Sequence, residues 1–344
     1  MRDLERKMKA ALVYKNLKAN NPTISHVGLG VTAENIRLAL DAINMGVEVL
    51  PVVDGYHLHR VLVQRPDITH VDLFAPWMDT NFMEYGLCRR FQHVQFALTC
   101  HSNVGFLQAD RWAVKIIREG LQLQQRVHNF RVSGNCQKFC DWLREAYRQD
   151  ALWLPNLYHL PDPVPPHRTM YSGGTLRVGI FGATRVQKNM MSAVGAALVL
   201  ARKVRATHTE VWVSSGRVEG GQGVMASVAE MVKDLPHVTL HESGWLDWPG
   251  FRKLTGTMHL MFQPSYTESF NNVTADGISM GTPSVVSTAI DWVPKHWQAC
   301  ADNVVDIARV GGYLLFDLDA TAEGYRALQH YNAAALSAWR AFLQ

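Results

Sequence analysis

Residues 263–286 read QPSYTESFNNVTADGISMGTPSVV and predict a strand–loop–helix–loop–strand unit around which the rest of the chain can be organised. The apolar run 259–262 stops at Pro264, as a buried strand does. Polar residues then lead into apolar positions at helical spacing, and Gly281 ends that helix. The small apolar stretch 284–286 begins the next strand. A loop that enters a helix between two buried strands is typical of α/β proteins.

One carboxylate stands at the start of the predicted helix and a second lies within it. Together they indicate what this loop could bind. Glu268 stands at the mouth of the helix and Asp276 lies two turns further on. The N-terminus of a helix favours anions, phosphates above all. A carboxylate can accept two hydrogen bonds from a diol. Phosphate and hydroxyl groups together describe a nucleotide sugar.

Length and composition limit the class of protein. A chain of 344 residues fits two domains of about 150 residues each. It is 47% hydrophobic and 19% charged, which is ordinary for a soluble enzyme, and no apolar run approaches the roughly 18 residues that a membrane-spanning helix requires. The charged start lacks the apolar core of a secretory signal, so we expect a cytoplasmic protein, in a bacterium or a phage-infected host.

Charge and cysteines add two weaker expectations. A net charge of +4 allows a polyanionic partner without requiring one. The five cysteines are odd in number and scattered, which favours reduced thiols. Cys136 and Cys140 have the i, i+4 spacing of a helix, but no second Cys/His pair accompanies them, so we predict no metal site there.

Strands and helices alternate strictly in two sets, which predicts two doubly wound α/β domains with parallel sheets. The proline-rich segment 161–166 separates them and is interpreted as the linker. We predict an N-terminal domain over residues 1–165, a C-terminal domain over 166–321, and a terminal helix over about 322–344 that can pack back on the first domain. The predicted strands are 11–14, 47–53, 71–75, 94–100, 130–133, 151–154, 176–181, 210–213, 238–241, 259–262 and 284–286.

The order of elements and the quoted motif resemble the retaining GT-B glycosyltransferases of the family 4 (group 1) type, over most of residues 8–320. That family carries Glu-Ser/Gly-Phe-Gly, then a second acidic residue in a helix that ends Gly-x-Pro-Val-Val. Here Asn271 stands where the family has glycine and Asp276 where it has glutamate. The resemblance implies two Rossmann-like domains facing each other across a cleft. It also implies that Glu268 holds donor sugar hydroxyls, Asp276 the ribose diol, and the backbone of 270–273 (Phe270, Asn271, Asn272, Val273) the diphosphate.

A second loop, 182–189, resembles the family's diphosphate-gripping loop. Lys188 is in register with the family lysine, whereas the family arginine position is Ala183 and Arg185 is the candidate to replace it. Cations here would offset the charge that grows on the leaving nucleoside diphosphate. They would also remove the need for a divalent metal, and we interpret Asp317-Leu318-Asp319 as a turn. Leu246, beside Trp245, is the candidate contact for the nucleobase.

In the first domain the resemblance implies acceptor-side positions. Gly28 and Gly30 are predicted in a loop between the first strand and first helix, where the related enzymes face donor phosphate and acceptor. His101 ends a strand at the carboxyl edge of the sheet, where doubly wound folds bind ligands. The family's histidine at this place touches the transferred sugar, and Ser102 and Asn103 follow it. The candidate catalytic residues are therefore Glu268, His101 and Lys188.

The expected function is transfer of a hexose from a nucleotide-sugar donor to a hydroxyl acceptor with retention of configuration. UDP-glucose and UDP-GlcNAc are the expected donors, with no cofactor required. The segments 100–110 and 153–158 resemble phage-encoded members of the family, some of which act on modified bases in DNA. Hydroxymethylated double-stranded DNA is therefore a leading acceptor, with a cell-surface or small-molecule glycan as the other possibility.

Two other functions stay open at this stage. Gly28-Leu29-Gly30-Val31-Thr32-Ala33 fits the outline of a dinucleotide-binding fingerprint, which would make the protein an NAD-dependent oxidoreductase. That interpretation requires 24–27 to be the first strand, and it leaves the motif at 263–286 unexplained. The departures at Asn271 and Ala183 favour a second alternative, a nucleotide-sugar or nucleic-acid binding module without catalysis.

Overall fold

The computed structural model describes residues 9–16, 27–160, 166–244 and 246–344. The chain forms two compact units, Met1–His159 with Asn332–Gln344 (unit 1) and Leu160–Tyr331 (unit 2). Each unit has a six-stranded sheet in which all the paired strands run parallel. Helices connect the strands, because parallel neighbours need a crossover. The predicted fold class, α/β with two doubly wound parallel sheets, is confirmed.

In unit 1 the sheet order is β2-β1-β3-β4-β5-β6. The strands are β1 (Lys9–Lys15), β2 (Val47–Val52), β3 (Ile68–Phe74), β4 (Gln95–Cys100), β5 (Phe130–Gly134) and β6 (Leu152–Trp153). The α-helices are α1 (Val27–Asp41), α2 (Gly55–Gln64), α3 (Val104–Leu107), α4 (Arg111–Leu123) and α5 (Gln137–Tyr147), and a π-helical segment covers Phe82–Cys88. The order reverses between β1 and β3, which is where such folds bind ligands.

In unit 2 the sheet order is β12-β11-β10-β7-β8-β9. The strands are β7 (Thr175–Ile180), β8 (His208–Val213), β9 (Val238–Glu242), β10 (Leu260–Gln263), β11 (Ser284–Ser287) and β12 (Gln298–Ala299). The helices are α6 (Met190–Lys203), α7 (Val224–Val232), α8 (Trp248–Thr255), α9 (Asn272–Ser279), α10 (Val304–Phe316) and α11 (Ala320–Leu343). Here the order reverses between β7 and β10, so the loops after these two strands meet at the edge where a ligand is expected.

Local signals explain where several helices begin. The side chain of Asp54 accepts a hydrogen bond from the His57 backbone N–H and caps α2. Asp110 does the same for α4 through Ala113, and Asn303 for α10 through Asp306. Each cap satisfies a backbone donor that has no partner within the helix. In the last part of α11, the Trp339 indole N–H donates to the Pro155 carbonyl at 2.7 Å, within unit 1.

Three sequence predictions need correction. Gly28 and Gly30 do not lie in a loop, because α1 begins at Val27 and includes both. The stretch 82–91 has a helical pattern in the sequence, but the structure forms a π-helical segment there that ends at Cys88. The short elements α3 and β12 were not predicted, because runs of four and two residues carry no measurable periodicity. The predicted linker covers residues 161–166. Residues 161–165 lie outside the described residues, and Pro166 is the one linker residue that the structure describes.

A row of polar side chains runs through the middle of the unit 1 sheet. The Thr99 hydroxyl donates to Asp72 Oδ1 at 2.5 Å and is also hydrogen-bonded to Ser133. All three residues are buried, on neighbouring strands β3, β4 and β5. Burial raises the pKa of Asp72 to about 8, and the Thr99 hydrogen bond opposes that rise. The carboxyl group is therefore mostly neutral at pH 7, since an ionised group there would lack solvation.

Among the described residues, none of the helices combines the length and the apolar character needed to cross a bilayer.

Candidate functional site

An ion pair joins the two loops at the switch point of the unit 2 sheet. Lys188 Nζ lies 2.6 Å from Glu268 Oε1, and the two side chains are only 15% and 12% exposed. Lys188 follows β7 and Glu268 follows β10, which are adjacent strands. The structure thus brings together two of the three predicted catalytic residues. A pair so shielded from water interacts more strongly than one on an open surface.

Asn271 connects this ion pair to the start of α9. Its Oδ1 accepts a hydrogen bond from the Thr274 backbone N–H at 2.8 Å, which caps the helix. Its Nδ2 donates to Glu268 Oε1 at 3.1 Å and to Gln263 Oε1 at 3.2 Å. Gln263 in turn donates to the Phe181 carbonyl at the end of β7, at 3.0 Å. A continuous set of hydrogen bonds therefore links both loops through the side chain of Asn271.

The backbone of Asn271 explains how asparagine stands where the motif that the sequence resembles has glycine. Its φ is +72° and its ψ is 84°, in the left-handed region that favours glycine. Asparagine enters this region more readily than other side chains because its short amide can bond locally. The substitution keeps the backbone turn and adds a polar side chain at the site.

Main-chain contacts fix the loop that carries Lys188. The Tyr266 backbone N–H donates to the Gln187 carbonyl at 2.9 Å, and Asn189 Nδ2 donates to the Pro264 carbonyl at 3.1 Å. Gly182 has a φ of +122°, and a Cβ there would lie 3.4 Å from Lys188 Cε. This position favours glycine for its backbone conformation, while the lysine stem would be in ordinary contact with a Cβ.

Arg185, the candidate to replace the family arginine, is held by a carboxylate. Glu219 forms ion pairs with both Arg185 and Arg217, and all three side chains are 25% exposed. Backbone hydrogen bonds join Thr184 to Arg217 and Glu219, so the loops after β7 and β8 lie together. Burial lowers the pKa of Arg217, with Glu219 opposing the shift. Two cations share one carboxylate, which leaves one net positive charge beside the Lys188 loop.

Asp276 is buried within α9 rather than open to solvent. It is 4% exposed, and its Oδ1 accepts a hydrogen bond from the Trp248 indole N–H at 2.8 Å. Trp248 begins α8, and Arg252 lies over its ring, 5.5 Å from the centroid. The proposed contact of Asp276 with a ribose diol would therefore be made by a carboxylate that already has an indole partner.

Three further residues predicted to contact the nucleotide sugar, Phe270, Asn272 and Val273, lie at or next to the start of α9. Phe270 is 1% exposed, and its ring stacks on Trp292 at 5.1 Å between centroids. The Trp292 indole N–H also donates to the Phe270 carbonyl at 2.6 Å. Val273 packs against an apolar cluster of Phe181, Met258 and Met261, and Asn272 is the first residue of α9. The side chains of Phe270 and Val273 are packed inward. Any contact of these residues with the nucleotide sugar would therefore be made by their main-chain atoms.

Leu246 precedes the α8 cap and is 37% exposed. The nearby Gly244 has a φ of +62°, a backbone conformation that glycine supplies without strain. Trp245, its predicted partner at the nucleobase, lies outside the described residues. An exposed apolar side chain at this edge of the unit 2 sheet is consistent with a contact to a base, and this role stays a prediction.

In unit 1, His101 directly follows β4, which ends at Cys100, and its ring lies against Phe74 at 4.4 Å between centroids. Asn135 Nδ2 lies 3.5 Å from His101 Nδ1 and donates to Asn156 Oδ1 at 3.2 Å. Burial lowers the pKa of His101 to about 3, with the Asn156 hydrogen bond opposing. The imidazole is therefore neutral at pH 7 and can act as a hydrogen-bond partner but not as a cation.

The remaining acceptor-side candidates have mixed surroundings. The Asn103 side chain accepts from the Val104 backbone N–H at 2.8 Å, and the Ser102 carbonyl accepts from Cys100 Sγ. Gly28 is exposed, with open space around a Cβ built on it. Gly30 lies against the Tyr14 ring, 3.4 Å from such a Cβ. Because both glycines are in α1, the strand–turn–helix arrangement of a dinucleotide fingerprint is not formed by β1 and these residues.

Potential metal ligands do not coincide with the predicted site. Cys136 and Cys140 are buried, and all five cysteines are free thiols. In the part of the chain that the structure describes, one group of possible ligands occurs, formed by His296, Asp317 and Glu323, whose ligand atoms lie within 4.8 Å of one another. His296 Nε2 is already paired with Glu323 at 2.9 Å. None of these residues belongs to the Lys188–Glu268 site.

Sequence reasoning missed Gln263, Trp248, Arg217 and Glu219. Arg217 and Glu219 could have been found, because they follow β8, the strand next to β7, and loops after neighbouring parallel strands meet at one edge. Trp248 had no such signal, since an aromatic residue at the start of a helix usually packs. Gln263 is the last residue of β10, where a polar side chain after an apolar run was a usable indication.

Solved structures share this fold. The sucrose-phosphate synthase from Thermosynechococcus elongatus matches with a TM-score of 0.66 at 13% identity, covering 97% of this chain and 98% of that one. A UDP-forming trehalose-phosphate synthase from Burkholderia xenovorans gives 0.63 at 11% identity, with 98% of each chain covered. The glycosyltransferase WaaG gives 0.58 at 14% identity, with 95% of each chain covered.

A complex of a point mutant of S. aureus TarM with fondaparinux, α-GlcNAc-glycerol and UDP matches with a TM-score of 0.61 at 15% identity. The match covers 84% of this chain and 58% of the TarM chain. No protein-family model matches the chain, and no curated protein matches its sequence. At these identities the likeness concerns the fold, which is the two-unit α/β fold of these glycosyltransferases.

Proposed function

We propose that the protein is a glycosyltransferase that moves a hexose from a UDP-sugar to a hydroxyl acceptor with retention of configuration. The observation that carries this proposal is the Lys188–Glu268 ion pair at the switch point between β7 and β10. It puts a cation and a carboxylate beside the N-terminus of α9, where a diphosphate and the attached sugar would need them. The shared fold with the UDP complex of TarM supports a UDP donor.

In the proposed reaction the bond between the sugar C1 and the β-phosphate oxygen breaks, and a bond from the acceptor oxygen to C1 forms on the same face. The acceptor proton passes to an oxygen of the leaving phosphate. Lys188 offsets the charge that develops on the UDP, and Arg185 with Arg217 adds a net positive charge nearby. Glu268 accepts hydrogen bonds from sugar hydroxyls. No step in this scheme requires a metal ion, and we infer for His101, which is neutral at pH 7, a hydrogen-bonding role rather than a charged one.

The test is mass spectrometry of products after incubation with UDP-glucose or UDP-GlcNAc and a panel of acceptors. The panel contains hydroxymethylated double-stranded DNA, the same DNA without hydroxymethyl groups, and small-molecule glycans. The proposal expects a gain of one hexose or N-acetylhexosamine on one acceptor, together with release of UDP. Consumption of NAD with no sugar transfer to any acceptor would instead support an oxidoreductase. UDP binding without transfer would support the binding module.

The acceptor is the open part of the proposal. If it is hydroxymethylated DNA, the target base has to leave the duplex to reach an active site, and binding weakens steeply with added salt. If the acceptor is a glycan, the rate of sugar transfer should change little with salt concentration. Comparing transfer at low and high salt therefore separates the two acceptor classes.

Trp248 provides a prediction specific to the donor. Replacing it with phenylalanine keeps an aromatic ring at the start of α8 but removes the indole N–H that Asp276 accepts. Loss of a hydrogen bond to a charged group at the ribose position should raise KM for the UDP-sugar about fivefold to tenfold, with kcat changed less. Steady-state kinetics on W248F measures this. Trp112→Phe on the exposed face of α4 is the matched control, and equal KM values in both variants would contradict the role of Asp276.

A further inference from the structure

We propose that Asn271 is a positioning residue, whose side-chain amide keeps the Glu268 carboxylate in place when the donor's diphosphate draws Lys188 away. This inference rests on the proposed function. Among the described residues, Glu268 Oε1 has two partners, Lys188 Nζ at 2.6 Å and Asn271 Nδ2 at 3.1 Å. A diphosphate competes directly for Lys188, because an ammonium group binds phosphate as a point charge. The amide is then the partner that remains on that oxygen.

The amide is held in a fixed orientation from both ends. Oδ1 accepts from the Thr274 backbone N–H at the first turn of α9, so the amide cannot flip without breaking the helix cap. The two hydrogens of Nδ2 are divided between Glu268 and Gln263, and Gln263 is tied to the Phe181 carbonyl. Asn271 is itself 5% exposed, so water does not replace these bonds readily. The Asn271 amide, fixed in this way, still points its N–H group at Glu268 after Lys188 has moved to the diphosphate.

Glycine at position 271 would supply the turn but not the amide. Asn271 adopts a left-handed backbone conformation that glycine also adopts freely. Glycine at a helix N-cap is nearly as favourable for the helix as asparagine. The geometry therefore assigns the side chain a second task beyond capping, which is to orient the carboxylate that contacts the sugar.

The experiment compares the variants N271G and N271D with wild type. N271G should lower kcat about threefold to tenfold while the Kd for UDP stays within twofold, because UDP has no sugar for Glu268 to hold. N271D keeps an oxygen for the Thr274 cap but puts a second carboxylate about 3 Å from Glu268. The acidic limb of its pH–rate profile should move to higher pH, since two close carboxylates resist being ionised together. N271G should show no such movement.

Asn44→Gly is the matched control for asparagine-to-glycine replacement at a left-handed position. Asn44 has a φ of +60° and is exposed in unit 1, so kcat and the Kd for UDP should both stay at wild-type values. An N271G kcat within twofold of wild type would overturn the inference. So would a parallel loss of kcat and UDP affinity, which would indicate a damaged helix start.

The variant E268Q separates failure of this inference from failure of the proposed function. If E268Q is inactive and N271G is not impaired, Glu268 has its proposed role and Asn271 does not position it. If E268Q retains full activity, the assignment of Glu268 to the sugar is wrong, and the positioning role has no basis.

Discussion

Replacing Glu268 with glutamine lowers kcat/KM for sugar transfer by about tenfold to hundredfold. The amide is nearly the same size as the carboxylate, so the change removes charge with little change in shape. A hydrogen bond to a charged group contributes roughly 1.5–3 kcal/mol, which corresponds to that loss in rate. The carboxylate is only 12% exposed, so solvent would replace little of what is lost. Initial rates of UDP release, with UDP-sugar and the acceptor identified by mass spectrometry, measure this effect.

For E268Q we also expect that binding of the product UDP is not weakened, in contrast to the loss of sugar transfer. UDP lacks the sugar, so it loses nothing when Glu268 is changed, and Lys188 no longer has a carboxylate competing for it. E268Q should therefore bind UDP at least as tightly as wild type. Glu230→Gln, on the exposed face of α7, is the control and should change neither quantity. A loss of UDP binding in E268Q as large as its loss of turnover would indicate a disordered loop rather than a lost sugar contact.

Raising the pH destabilises the unit 1 sheet through Asp72. Burial raises the pKa of its carboxyl group to about 8, whereas an unfolded aspartate titrates near 4. The folded state therefore binds more protons than the unfolded state between these values, and stability falls as pH rises. Each pH unit costs about 1.4 kcal/mol per group, so between about pH 5 and about pH 7.5 the loss from Asp72 is about 3 kcal/mol. Below about pH 4 this contribution is fully present.

Asp72→Asn removes that dependence, because an amide does not titrate. Hydrogen exchange of the β3 amides reports the opening free energy of this strand, once intrinsic exchange rates are corrected for pH. We expect the wild type to lose about 3 kcal/mol more than D72N over the stated range. The lowered pKa values of His70 and His101 act in both proteins and cancel in the comparison. Asp150→Asn, an exposed change in unit 1, is the control, and identical slopes in all three proteins would refute the assignment.

Alternation of apolar runs was enough to predict the two parallel sheets, because buried parallel strands and their crossover helices leave a strong pattern. The loop at 182–189 and the motif at 263–286 also indicated Lys188 and Glu268 as donor-side candidates, and the structure has them after adjacent strands of one sheet. The glycines at 28 and 30 misled the prediction. Glycine often marks a loop, but both residues lie in the first turn of α1.

Side-chain partners that join distant segments could not be predicted. Nothing in the spacing of Trp248 and Asp276 indicates an indole–carboxylate hydrogen bond, because it depends on how α8 packs against α9. The same holds for Glu219, which takes Arg185 and Arg217 as partners. The sequence showed only that asparagine stands at position 271 in place of glycine. The left-handed backbone of Asn271 explains why asparagine is accommodated there. Its amide contacts depend on the rotamer, which a sequence does not record.

The central claim is that Lys188 and the N-terminus of α9 form the binding site for a nucleoside diphosphate. Calorimetric titration of UDP into wild type, K188M and K233M tests it most directly. Lys233 is exposed beyond α7 and serves as the matched control. We predict that wild type and K233M bind UDP equally, with a Kd between about 1 μM and about 1 mM, and that K188M binds at least about tenfold more weakly. Equal binding of UDP by wild type and K188M, or binding of NAD in place of UDP by the wild type, would contradict the account.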